Sequence, residues 1–180
     1  MNVAKVVEAA AVLLEGEPGQ AMNFMRLLKL LYIGEREMLR AHGQTMLDDR
    51  MVAMERGPVP DGVYGLIKGE HRDAAVWTKH VKREGYRVRL VENPGRRLLS
   101  AAEVRLLNAV SAEHAAHDEW DMVEFTHRFP EWIKNDPGKS SARISTADIL
   151  AAIGRSEDAE GIEADGRRRV ALRHFFGEAS

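Results

Sequence analysis

Met22-Asn23-Phe24-Met25-Arg26-Leu27-Leu28-Lys29-Leu30-Leu31-Tyr32 opens a stretch that closes on Gly57-Pro58-Val59-Pro60-Asp61-Gly62-Val63-Tyr64. In its first half Phe24, Leu27, Leu28, Leu31, Met38 and Leu39 recur at three- and four-residue steps. At 3.6 residues per turn they gather on one side, which predicts a core helix from Met22 to about Ala41, stopped by His42-Gly43. Arg26, Lys29, Arg36, Glu37 and Arg40 fall on the other side, read as an exposed and mostly basic face with Met22, Met25 and Ile33 among or beside its charges. Glu35 projects onto the apolar side, where a carboxylate needs a partner or a proton. An ion pair or a helix-end hydrogen bond is the ordinary solution, and nothing nearby supports a catalytic acid. In the second half Gly57 tolerates backbone angles that other residues resist, and Pro58 biases it away from helix. Pro60 then leads into Val63-Tyr64-Gly65-Leu66-Ile67, so the stretch reads as a buried helix, an extended crossing and a second helix.

Outward from this stretch the chain is mostly helical. Val3, Val6, Val7, Ala10, Leu13 and Leu14 form a helical stripe ended by Gly16 and Pro18-Gly19. Arg50 to Arg56 is a short strand or an extended approach to Gly57. Ala74, Trp77 and Val81 keep helical spacing up to Gly85. Tyr86 to Val91 is the clearest strand, with Tyr86, Val88 and Leu90 opposed to Arg87 and Arg89. Asn93-Pro94-Gly95 is a turn, and Arg96 to Leu99 is the candidate return partner. Ser100-Ala101-Ala102-Glu103 is a capping box, and its helix carries Val104, Leu107 and Val110 on one side and ends near His117. Glu119 to Arg128 is a further helix broken at Phe129-Pro130, Asn135 to Ser141 is a loop, and Ser145-x-x-Asp148 starts a short helix. The predicted fold is mainly α: a single compact helical domain over residues 1–155 with one small antiparallel β-hairpin. Residues 156–180 form an amphipathic segment expected to dock on the domain or on a second copy in a homodimer.

The totals fit one domain of 180 residues with a 44% hydrophobic fraction, few aromatics and a net charge of −2. That balance does not advertise nucleic-acid binding. The absence of cysteine excludes disulfides and thiolate metal sites and fits a reducing cytosol. The N-terminal apolar run is interrupted by Glu8 and Glu15 and is too short to span a bilayer, so a cytoplasmic protein is expected.

Lys29-Leu30-Leu31-Tyr32, then Gly57-Pro58-Val59, then Val63-Tyr64, in this order and with these gaps, resembles the Panacea domain, the SocA-like antitoxin family of bacteria and their phages. Glu119 to His127 followed by Pro130-Glu131-Trp132 resembles a second block of that family, and together the matches run from Met22 to Ile149. The resemblance implies a non-catalytic protein without cofactor or metal. Such a protein binds and neutralises a cognate protein toxin, directly or by delivering it to a ClpXP-type protease. It adds Lys29 and Tyr32 as motif positions. With Arg36 and Arg40 from the basic face, and Gly57 and Pro58 from the crossing, these make the expected partner-binding set.

The residues by themselves leave two other classes open. His114, His117, Asp118 and His127 offer nitrogen and oxygen ligands for a metal-dependent hydrolase, although no H-E-x-x-H pairing is present. Arg167-Arg168-Arg169 offers charge to a nucleic-acid-binding regulator, although it follows an acidic run. For His127 the favoured role is structural, with Trp120 and Trp132 packed around a helix end and the imidazole bonding loop carbonyls there. No nucleophile motif and no Walker-type loop is present.

Overall fold

The computed structural model describes residues 1–162, 164–166 and 168. The elements in chain order are α1 (Val3–Glu15), β1 (Ala21–Asn23), α2 (Phe24–His42), β2 (Met51–Met54), β3 (Gly57–Pro60), α3 (Asp61–Lys68) and α4 (Ala74–His80). They continue with β4 (Val81–Glu84), β5 (Arg87–Leu90), α5 (Ala101–Glu113), α6 (Glu119–His127), α7 (Pro130–Lys134), β6 (Ser141–Ile144) and α8 (Thr146–Ala152). The Arg167-Arg168-Arg169 cluster as a unit, and the docking expected of the C-terminal segment through Val170, Leu172, Phe175 and Phe176, lie outside the described residues.

The chain is mainly α, and it carries more β structure than the single hairpin expected. Two antiparallel three-stranded sheets run in the orders β1-β5-β4 and β3-β2-β6. The strand at Arg87 to Leu90 is present, but its hairpin partner is β4, with Val81 opposite Leu90 and Glu84 opposite Arg87. Gly85 takes φ +64 at the turn between them. Trp77 and Val81 are buried as their helical spacing suggested, but the helix stops at His80. Arg96 to Leu99 does not return as a strand. Its amides are taken by Glu8: the carboxylate accepts from Arg97 N at 3.2 Å, Leu98 N at 2.8 Å and Leu99 N at 3.2 Å.

Two helices form the centre. α1 is buried on almost every side from Val6 to Leu14, beyond the one stripe its spacing indicated, and packs on α2, α4 and α5. A helix that is apolar all round belongs in the interior. α2 is the longer, and its buried residues include Leu27, Leu28, Leu30, Leu31, Tyr32, Ile33, Met38 and Leu39. Asn23 caps its start by accepting from Met25 N, and Gly43 closes it in the left-handed conformation at φ +62. Glu35 is a satisfied buried acid: one oxygen accepts from Met46 N and Leu47 N, both at 2.8 Å, folding the loop back under the helix. Burial pushes its pKa up to about 7, against the opposing pull of those two amides.

Capping is where local sequence and structure agree most closely. Ser100 and Glu103 form the reciprocal box at α5, and Ser145 and Asp148 form the same box at α8. A third, Asp118 with Asp121 at α6, uses aspartate in both places.

Glu8 is 5% exposed and is the sole side chain given to those three loop amides among the described residues. Glu8→Ala leaves buried donors without an acceptor, so a loss of about 2 kcal/mol or more is expected in a denaturant melt. A loss below roughly 0.5 kcal/mol, the usual range of surface substitutions, would show that water replaces the carboxylate there.

Candidate functional site

The basic face of α2 is internal. Arg26 is 6% exposed, Lys29 0% and Arg36 6%, whereas Arg40 keeps half of its side chain in water. The expectation that this whole face is turned to solvent therefore fails at all but its last turn. Helical spacing identifies residues that share a side; it does not reveal a second layer over that side. Here α5, α6 and β3 supply that layer, with Glu131 of α7 reaching Arg36. Met22 and Ile33, at 3% each, are covered in the same way.

Each buried cation is anchored to a different part of the chain. Arg26 donates to His117 O at 2.9 Å and His114 O at 3.2 Å, carbonyls left open where α5 ends, and pairs with Glu17 at 2.6 Å. Arg36 donates from Nε to Glu131 Oε1 at 2.8 Å and lies 4.4 Å above the Phe129 ring. The Tyr32 hydroxyl donates to the same Glu131 oxygen at 3.2 Å. Burial, and then the adjacent carboxylate, raise the Tyr32 pKa well above its usual value. Lys29 donates from Nζ to Pro58 O at 2.8 Å. β3 is an edge strand, and this bond satisfies a carbonyl on its buried outer side. Lys29 has no carboxylate within ion-pair distance among the described residues, and burial lowers its pKa to about 7.

Gly57 makes the Lys29 contact possible. It takes φ +91, and a side chain there would put its first carbon 2.7 Å from Lys29 Nζ, 2.8 Å from Thr126 Oγ1 and 3.2 Å from His127 Cδ2. The His127 ring stacks on Trp132 with centroids 4.0 Å apart. Trp132 Nε1 donates to Met54 O at 3.1 Å. Burial first, then the Lys29 charge, hold the His127 pKa below its usual value. The packing expected of His127 against Trp132 is present at the β2–β3 turn, and the loop carbonyl there is bonded by Trp132. Trp120 does not share this packing: that side chain is 53% exposed.

Above this frame lies an open groove of about 650 Å³, lined by Phe24, Met25, Lys29, Arg56, Gly57, Tyr64, Tyr86, Trp120 and Lys139 among others. Phe24, expected in the core, forms part of the groove wall, with ring centroids 6.4 Å from Tyr64 and 6.2 Å from Tyr86. Of the expected partner-binding residues, Lys29 and Gly57 reach this groove, and Pro58 holds Lys29 beneath it. Tyr32 and Arg36 stand behind it in the Glu131 network, and Arg40 lies at the far end of α2. Trp120 and Tyr86 were missed. Their signal was large aromatic side chains in otherwise polar runs.

The described histidines do not assemble into a metal centre. Among the described residues no group of three or more His, Asp or Glu side chains is placed to hold an ion. His114 and His117 meet through their Nδ1 atoms at 3.0 Å and pack on Phe125. No described helix is long and apolar enough to cross a membrane.

Gly57→Ala is expected to destabilise the fold by roughly 1–3 kcal/mol, from the left-handed backbone and the contacts its side chain would make. An unchanged melting temperature would contradict this. Lys29 also sets a pH dependence. Its folded pKa, about 7, lies below its usual 10.5, so between these values the unfolded chain binds more protons than the folded one. Stability must then rise with pH across that window, by at most about 1.4 kcal/mol per pH unit. Lys29→Met should remove that slope in denaturant melts taken from pH 7 to 10, and an identical slope in both proteins would contradict the assignment.

The family model described as antitoxin SocA-like, Panacea domain, matches residues 27–133, more than half of the chain. The match runs from α2 through β2 and β3 to α7 and includes Lys29, Tyr32, Gly57, His127 and Glu131, the residues of the buried frame. No curated protein and no solved structure matches the chain significantly. The extent of the family match establishes that the chain belongs to the SocA-like, Panacea-domain antitoxin family.

Proposed function

We propose that this protein is a non-catalytic antitoxin that binds and neutralises a cognate protein toxin in the cytoplasm of a bacterium or of a phage-infected cell. Membership of the family implies a toxin partner. The observation that carries the reading to a surface is the groove over Lys29 and Gly57, with Trp120 and Tyr86 exposed at 53% and 73% on its rim. Exposed tryptophan and tyrosine beside arginine is the composition of protein-binding hot spots. A rigid frame beneath them lowers the ordering cost of association.

In this reading the expected contact residues divide by role. Lys29, Gly57 and Pro58 form the floor of the binding surface, while Tyr32 and Arg36 brace it through Glu131. Arg40 is exposed away from the groove and is peripheral. Neutralisation is by direct capture. Delivery to a ClpXP-type protease is the competing route, and it would shorten the toxin's half-life in protease-proficient cells only.

The test is co-expression rescue with the toxin encoded alongside, folding being followed separately by thermal melt. Trp120→Asp and Arg56→Glu are expected to abolish protection with unchanged melts, and Arg40→Glu to retain it. Arg36→Glu is expected to lose protection by unfolding, because it sets a carboxylate against buried Glu131. Full protection by both groove variants would place the toxin elsewhere on the chain.

A further inference from the structure

The charges around the groove are unevenly compensated. Arg56, Arg83 and Lys139 are exposed, and none forms an ion pair among the described residues. Two of them lie against groove aromatics: Arg56 is 5.2 Å from the Trp120 ring centroid, and Arg83 is 4.9 Å from that of Phe24. Lys29 sits beneath with one carbonyl as its partner and no carboxylate. Two acids share the lining. Glu119 is held by the Asn23 side chain at 2.8 Å, and Glu55 stands beside Arg56 on the exposed turn. A neutral amide leaves the Glu119 charge in place, so the exposed cations Arg56, Arg83 and Lys139 outnumber the acids Glu55 and Glu119 by one, and they are interleaved with Phe24, Tyr64, Tyr86 and Trp120.

We propose that the groove takes an acidic segment of the partner protein in which an aspartate or glutamate is flanked by large apolar side chains. The apolar side chains pack against Trp120, Tyr86 and Phe24, and the carboxylate lies between Arg56 and Lys139 above the Lys29 site. Lys29 need not be touched. With a pKa of about 7 it is partly protonated at neutral pH, and an anion above the Gly57 backbone favours its protonated form. A volume of about 650 Å³ accepts a few side chains rather than a folded domain, which suits a linear segment or a protruding loop. The inference rests on the antitoxin reading for the nature of the partner, and on the groove alone for its chemistry.

The test pans a phage-displayed library of random dodecapeptides on the full chain. Enriched peptides are expected to carry Asp or Glu next to Trp, Phe or Leu. Arg56→Glu and Lys139→Glu should each weaken them about tenfold or more with unchanged melts. A selected peptide should also raise the Lys29 titration midpoint followed by side-chain NMR, an effect that a purely structural lysine would not show. Peptides lacking acidic residues, acidic peptides indifferent to both charge reversals, or no enrichment on this face would each overturn the proposal. Rescue from the toxin by a chain that selects neutral or basic peptides would retain the antitoxin reading and discard this one.

Discussion

Three cationic side chains of α2, Arg26, Lys29 and Arg36, are held out of water, and much of the fold follows from where each finds its partner. An unpaired buried charge costs several kcal/mol, so each one constrains the element that satisfies it. Arg26 fixes the end of α5, Lys29 fixes the edge strand β3, and Arg36 with Tyr32 fixes Glu131 on α7. Elements far apart in sequence are thereby pinned to one helix at defined heights.

The same network explains why the family's sequence blocks are widely spaced yet form one object. Lys29 to Tyr32, Gly57-Pro58 and the His127 to Trp132 region meet around the β2–β3 turn, where Gly57 has no room for a side chain. A frame of this kind is rigid and internal. The side chains exposed over it at the groove include Trp120, Tyr86 and Arg56.

Sequence legibility followed the range of the interaction. The helix at Phe24 to His42, the left-handed Gly57 and the boxes at Ser100 and Ser145 rest on local rules, and all were readable. β1, β4 and β6 were not. β1 has three residues and lies against the start of α2, and β4 exposes all but Val81, so neither shows alternation. β6 pairs with β2, across a separation no local pattern spans. The basic face was misjudged for a related reason. Lys29 and Arg36 look like surface charges on a helical wheel, and their burial depends on Pro58 and Glu131, many residues away. Motif spacing singled out Lys29 and Gly57, which reach the groove, whereas the Trp120 and Tyr86 rim exists only once α6 and the β4–β5 turn are placed.

The central claim is that the charged face of α2 is a buried scaffold rather than a docking surface. Amine-specific labelling of the native protein at pH 8, read by mass spectrometry, tests it most directly. With a pKa near 7, Lys29 would be among the most reactive amines in the chain if a reagent could reach it. The structure predicts that Lys29 stays unmodified while the exposed Lys82 and Lys139 are labelled, and that it reacts only on unfolding. Modification of Lys29 in the folded chain at the rate of Lys82 and Lys139 would contradict the account.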